Sequence, residues 1–348
     1  MTIPKKLVVY IIADNCEKNS LMKVQKTYIN YLAERIDTTI ILEERFVEKY
    51  GNLFKNCKFS QKISKNEIND TLILNFKTSE TANISKYLSV PRFVFPKIVN
   101  SFITSMVEPI SETELKMEIF GMTLYPTIFN SKASIKAFKN KQVRYISYTD
   151  IEKSVLRYVN IGIDLERLDN SKSKEKHKDF TFVFPGNQLA AKKRFEEQIK
   201  LFDALYIVNN KFKLRLFVFP QYHKKVPKRE YIILEKSLKQ EDYWKEASKC
   251  QAFVSTSKGE SYGLAHLELL KLGLTGIYRN FEWVKEIYEG NLKYTANNFN
   301  ELYLITKEVI ADNQSGKIDF INNNHDSKKQ VEIYYQTLIE LYNLQIPK

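Results

Sequence analysis

The stretch from Gln251 to Gly290, QAFVSTSKGESYGLAHLELLKLGLTGIYRNFEWVKEIYEG, constrains the fold more than any other part of the chain. It opens on Ala252-Phe253-Val254, a short apolar run that reads as a buried strand. Ser255 to Gly259 are small and polar and read as a loop. From Ser261 to Leu272 the apolar residues recur at helical spacing through Leu264, Leu267 and Leu270, and Gly273 stands where a helix stop belongs. A strand feeding a loop that opens a helix aims unpaired backbone N–H groups and the positive end of a helix dipole at one point, which makes an anion site. Glu260 stands in the loop and Glu268 follows eight residues later, two turns into the helix. One acid is expected at the mouth of the anion site and the other deeper along its wall. An ordinary strand–loop–helix unit with two solvated glutamates has the same spacing, so the rest of the chain must discriminate.

The alternation of strand and helix continues on both sides. Lys6 to Ile12 is a continuous apolar run and reads as a buried parallel strand, Leu21 to Ile36 has helical spacing, and Thr38 to Leu42 is the next strand. Thr71 to Asn75 and Arg92 to Phe95 are further strands, and Ile98 to Met106 reads as a core helix in preference to a membrane-facing segment. Ile128 to Ser131 is a short strand ending in a helix cap, followed by a basic helix from Lys132 to Asn140. The polar run from Asn170 to Asp179 reads as a linker or exposed loop. The alternation then restarts with a strand at Phe180 to Phe184, a helix from Ala191 to Val208, and strands at Leu214 to Phe219 and Tyr231 to Leu234. Helices are expected at Glu241 to Lys249, Phe299 to Ile310 and Asp326 to Asn343. This is an α/β chain of doubly wound type with two Rossmann-like halves. The first βα loop lacks a Gly-x-Gly-x-x-Gly pattern, so nothing there argues for a dinucleotide.

Composition bounds the rest. A chain of 348 residues is comfortable for two domains. It has neither a signal peptide nor an apolar run of spanning length, so a protein of the cytoplasm, or of the host cytoplasm if phage-encoded, is expected. Three scattered cysteines and four scattered histidines offer no metal spacing, and no metal is expected. The net charge of +13 fits an acidic partner, but a chain rich in Lys, Asn and Ile reaches such a value without one.

A second anion site is expected at Gly186 to Arg194, GNQLAAKKR, where a strand and a glycine turn open a helix carrying Lys192, Lys193 and Arg194 in its first turns. Cations there oppose the helix dipole at a cost of about a few tenths of a kcal/mol, a conflict that an anionic ligand removes.

Gly259-Glu260-Ser261-Tyr262-Gly263-Leu264 followed by Leu267-Glu268 resembles the E-x7-E motif of the retaining, nucleotide-sugar-dependent glycosyltransferases of GT-B fold, often called group 1. Gly273, Thr275 to Tyr278, Glu286 and Gly290 continue that resemblance, and Asn160-Ile161-Gly162-Ile163-Asp164 is similar to the group's interdomain segment. Gly186 and Lys192 match the group's Gly-Arg-x-x-x-x-Lys segment, with Asn187 in place of the arginine and Arg194 as a substitute cation. The group's first-domain histidine has no counterpart, because no histidine precedes His177. His266, between the two glutamates, is expected to be a packed or surface residue.

The resemblance implies two Rossmann-like domains facing a cleft: an acceptor domain at 1–168, a donor domain at 169–325, and a last helix at 326–348 crossing back to the first. It implies no cofactor beyond the nucleotide sugar as co-substrate, a UDP-sugar. Lys192 and Glu260 are the catalytic candidates. The donor is expected on Gly186, Asn187, Lys192, Arg194, Glu260, Ser261, Tyr262, Gly263, Leu264 and Glu268, with Glu260 on sugar hydroxyls and Glu268 on the ribose. The acceptor reading leans to a hydroxymethylated pyrimidine in double-stranded DNA, as in phage-type DNA glycosyltransferases. The basic runs Lys132–Arg144, Lys172–Lys178 and Lys224–Arg229 would meet phosphates, and the first domain shows no obvious amphipathic anchor. A surface polysaccharide or membrane-associated, lipid-linked glycan is the alternative acceptor. From another class, a catalytically inactive GT-B module that binds nucleic acid or a glycan is the alternative function.

Overall fold

The computed structural model describes residues 2–12, 20–62, 68, 70–88, 96–103, 111–147, 150, 152–260, 262–288, 290–312, 321 and 323–345. The chain divides into two compact units, Met1–Ile161 with Lys328–Lys348, and Gly162–Ser327.

The first unit is built on a seven-stranded sheet of β1 (Lys6–Tyr10), β2 (Asp37–Ile41), β3 (Cys57–Ser60), β4 (Thr71–Asn75), β5 (Lys97–Phe102), β6 (Thr127–Phe129) and β7 (Leu156–Tyr158). Their order is β3-β2-β1-β4-β5-β6-β7, and every pair is parallel. The central strands are apolar along their length because parallel sheets carry helices on both faces; all five residues of β4 are buried. Buried asparagines satisfy one another at the strand ends, with Asn75 Nδ2 donating to Asn100 Oδ1 at 3.1 Å. Ser131 caps the helix Lys132–Gln142 by accepting from Ser134 N at 3.1 Å. The last helix, Ser327–Leu344, lies almost wholly in this unit, where Tyr334 stacks on Tyr28 with ring centroids 4.0 Å apart.

One expectation is corrected here. Ile98 to Met106 was expected as a core helix, but its described part belongs to β5, paired between β4 and β6. A short run buried on both faces has no period that separates strand from helix. The expected strand at Arg92 to Phe95 lies outside the described residues.

The second unit has a six-stranded parallel sheet of β8 (Phe180–Val183), β9 (Phe212–Val218), β10 (Ile232–Lys236), β11 (Ala252–Ser255), β12 (Thr275–Arg279) and β13 (Tyr294–Ala296). Their order is β10-β9-β8-β11-β12-β13. Its core is aromatic: Phe182, Phe202, Phe212 and Tyr231 are buried and packed ring against ring at 5.0–6.2 Å. The stretch 170–179 falls inside this unit. Ser173 N donates to Ser248 Oγ at 2.9 Å and Lys176 Nζ to the Cys250 carbonyl at 2.8 Å, which tie it down.

The first and last residues of this unit meet. Ile163 N donates to the His325 carbonyl and Ser327 N to the Ile163 carbonyl, at 2.8 and 2.9 Å. A side chain on Gly162 would put its Cβ 2.3 Å from Ser327 Cα, so only glycine fits the crossing.

Candidate active site at the switch point of the second sheet

In the second sheet β8 has β9 on one side and β11 on the other, so the winding reverses between β8 and β11. Open parallel sheets bind ligands beyond the carboxyl ends of the strands at such a reversal. The two segments singled out in the sequence leave from those two strand ends. Gly186 follows β8, with φ of 132° and open space around it, so its backbone conformation alone asks for glycine. Thr256 to Glu260 follow β11.

The local structure of the cation segment differs from expectation. The helix begins at Phe195, not Ala191; Ala191–Lys193 form a 3-10 turn and Arg194 is left-handed, with φ of 50°. The cations therefore precede the helix, and the first turn holds Glu196 and Glu197, which suit the dipole. The expected conflict between cations and dipole is offset by these acids, one of which, Glu197, pairs with the N-cap residue Arg194.

One backbone hydrogen bond and two from a side-chain hydroxyl join the two segments. Lys258 N donates to the Lys192 carbonyl at 2.8 Å, and the Thr256 hydroxyl lies 2.8 and 3.1 Å from the carbonyls of Lys193 and Arg194. Across this seam Lys193 Nζ pairs with Glu260 Oε1 at 2.6 Å, and Ser257 Oγ donates to the same oxygen at 2.9 Å. Burial by itself raises the Glu260 carboxyl; the Lys193 ammonium, with Lys192 further off, overrides it and holds the pKa at about 2. Spacing had pointed to Lys192, which is half-buried near Glu260. Its neighbour Lys193 makes the ion pair, and nothing in the sequence KKR separates the two before the turn is seen.

Gly263 caps the helix Leu264–Lys271 in the left-handed region at φ of 69°, and its carbonyl accepts from His266 N and Leu267 N. By helix geometry the amides of Leu264 and Ala265 have no intrahelical acceptor. A Cβ on Gly263 would also stand 3.3 Å from the Trp283 ring, so both conformation and space favour glycine. Tyr262 is buried, and burial raises its phenol well above the ordinary range. Ser261 lies outside the described residues.

His266 is packed. It is fully buried against Phe253, Tyr278 and Trp283, and its Nε2 is 2.8 Å from Ser255 Oγ. Burial, with Lys193 nearby, lowers its pKa to about 3 and keeps it neutral. Nδ1 has no hydrogen-bond partner among the described residues.

Glu268 is 8% exposed and held at both oxygens: Gln240 Nε2 donates to Oε1 and Trp244 Nε1 to Oε2, each at 3.0 Å. Both donors come from the helix Gln240–Ser248, an arrangement the E-x7-E spacing does not reveal. Arg194 is also engaged. Its Nε is 2.9 Å from Glu197 Oε2, Arg279 pairs with the same carboxylate, and both guanidinium groups lie over Phe281 at 5.7 and 5.6 Å. The main chain of Asn187 is anchored by Phe219 N at 3.0 Å. Among the described residues no group of three His, Cys, Asp or Glu side chains is placed to hold a metal ion.

The first unit has its own cavity, of about 600 Å³, at the carboxyl ends of its strands and lined by Tyr10, Leu42, Phe46, Lys62, Lys77 and Glu80 among others. It adjoins β1, where that sheet also reverses.

No family model and no curated protein matches the sequence. Solved structures do match the fold. Anabaena HepE in complex with UDP-glucose superposes with a TM-score of 0.70 at 14% identity, over 96% of this chain and 99% of that one. A glycosyltransferase from Rickettsia africae gives 0.70 at 12% identity, over 99% and 100%. Sucrose-phosphate synthase from Thermosynechococcus elongatus gives 0.69 at 11%, over 98% and 100%. The two parallel sheets with their helices and these matches together give the chain the GT-B architecture of two Rossmann-like α/β units.

Proposed function

We propose that the protein is a glycosyltransferase that moves a sugar from a UDP-sugar to a hydroxyl acceptor, with retention at the anomeric carbon and without a metal. The observation that carries this reading is the Lys193–Glu260 pair, set at the switch point beside Lys192 and the helix start at Leu264. Breaking the bond from sugar to diphosphate builds positive charge on the sugar and negative charge on the leaving phosphate. Donors already aimed at that phosphate stabilise the transition state more than the ground state. Lys192 and the amides of Leu264 and Ala265 have that role here. Lys193 keeps Glu260 ionised, so the carboxylate can accept from sugar hydroxyls. Glu268, fixed by Trp244 and Gln240, accepts from the ribose. The complexes of HepE with UDP and UDP-glucose support a uridine donor.

The acceptor has two readings, a hydroxymethylated pyrimidine in DNA and a lipid-linked or surface glycan. Val143 and Tyr145, exposed beside Arg144 at the end of the basic run Lys132–Arg144, favour the glycan. A panel of nucleotide sugars offered with hydroxymethylated DNA and with lipid-linked saccharides, scored by mass spectrometry, tests both. Transfer to DNA alone would restore the DNA reading. Binding of UDP with neither transfer nor donor hydrolysis would leave an inactive binding module.

A further inference from the structure

From Ile119 to Thr149 the chain carries no acid and five cations, Lys132, Lys136, Lys139, Lys141 and Arg144. This stretch spans the end of the helix Glu112–Leu124 and the helix Lys132–Gln142 with its C-terminal turn. Their inner faces are committed: Ile119, Met122 and Phe138 pack into one core cluster with Phe102 and Phe129. Their outer faces are not. Phe120, Leu124, Val143 and Tyr145 are 48%, 58%, 62% and 36% exposed.

These four form one surface. Lys116, Phe120 and Leu124 are spaced by four and share a helix stripe. Lys116 Nζ lies 5.7 Å from the Tyr145 ring centroid, and Gln142 Nε2 donates to Thr123 Oγ1 at 2.8 Å. Val143 and Tyr145 therefore stand beside the stripe. The exposed cations Lys139 and Arg144 flank them. The helix Glu112–Leu124 carries its own acids, Glu112, Glu114 and Glu118, toward its start, where Glu112 pairs with Lys116, so the positive charge beside its exposed apolar end comes from the helix Lys132–Gln142 and its C-terminal turn.

We propose that this face of the first unit docks the protein on an anionic lipid bilayer. Apolar side chains enter the acyl boundary while the surrounding cations meet anionic headgroups. Nucleic acid would engage the cations and leave four large apolar side chains in water. The surface is independent of glycosyl transfer and binds without a donor, so its failure and the failure of the proposed activity are separable.

The test is co-sedimentation of the full chain with vesicles of phosphatidylcholine, with or without phosphatidylglycerol. Binding is expected to the anionic vesicles and to weaken as salt rises. The pair Phe120→Ser with Leu124→Ser, which leaves net charge unchanged, is expected to weaken it about tenfold or more. Lys139→Glu with Arg144→Glu is expected to abolish it. Thermal unfolding of each variant controls for folding. Equal binding by Phe120→Ser/Leu124→Ser, as a purely electrostatic or nucleic-acid surface requires, would overturn the proposal. So would a concentration-dependent dimer that these two substitutions dissolve while vesicle binding is absent.

Discussion

Lys193 Nζ lies 2.6 Å from Glu260 Oε1, although the two residues are 67 apart in sequence. The side chains are 14% and 12% exposed, so the pair is mostly withdrawn from water. Lys193→Met leaves a carboxylate with no cation against it. Breaking a buried pair from one side costs about 3–5 kcal/mol, and the residual exposure places this case near about 3. Urea unfolding at pH 7 measures it, and adding Glu260→Gln is expected to recover most of the loss. Lys192→Met is expected to change stability by less than about 1 kcal/mol and to lower turnover instead. The pair also sets an acid limit. With the Glu260 pKa held at about 2 against an ordinary 4.5, its contribution is complete above the ordinary value and is lost as pH falls from there toward 2.

Trp244 reaches Glu268 from a different helix, and the indole is fully buried. Trp244→Phe keeps most of the ring and removes the N–H. Leaving a buried acceptor oxygen unsatisfied costs about 1–3 kcal/mol, so unfolding stability is expected to fall by about that amount. If Glu268 meets the ribose, UDP affinity measured by calorimetry falls as well. Glu268→Gln with Trp244 intact is expected to weaken UDP binding with a smaller loss of stability. Unchanged affinity in both variants would remove Glu268 from the donor site.

Two glycines separate space from conformation. Gly162→Ala places a methyl 2.3 Å from Ser327 Cα and 2.4 Å from its nitrogen, both backbone atoms that cannot rotate away. Loss of soluble protein or a collapse in melting temperature is expected. Gly186→Ala meets nothing within 4 Å but must adopt φ of 132°. Its cost is conformational, about 1–3 kcal/mol. Thermal unfolding of the two proteins gives the comparison.

The alternation of strands and helices was legible because fully buried parallel strands are continuous apolar runs, as in β4 and β8. Short edge elements were not. β3 reads CKFS and is nowhere fully buried, while β7 is a three-residue edge strand with two residues exposed. The helix Glu112–Leu124 also lacks a clear period, since Phe120 and Leu124 face water while Ile119 and Met122 face the core. That same mismatch hid the apolar surface of the first unit. At the candidate site the glutamates and glycines stood out by spacing. Their partners Lys193, Ser257, Gln240 and Trp244 did not, because tertiary contacts chose them. A left-handed Arg194, unusual for a non-glycine residue, displaced the helix start that periodicity placed at Ala191.

His266 gives the fold a second acid limit, above that of Glu260. The ring is fully buried and its pKa lies at about 3, against an ordinary 6.5. Between those values the unfolded chain binds a proton that the folded chain refuses. Stability therefore rises with pH across this window and is lost as pH falls below about 6.5. Each pH unit corresponds to about 1.4 kcal/mol, so about 2 kcal/mol is expected to disappear between pH 7 and pH 5 through this residue. Replacing it with Gln, His266→Gln, keeps a polar group near Ser255 Oγ and cannot take up the proton. Glu118, which burial raises to about 7, and His177, which burial lowers, titrate in the same range in both proteins, so the test is the difference: between pH 5 and pH 7 the natural chain is expected to gain about 2 kcal/mol more in urea unfolding than His266→Gln. Parallel slopes in the two proteins would mean that His266 is protonated inside the fold, which the packing of Phe253, Tyr278 and Trp283 around it opposes.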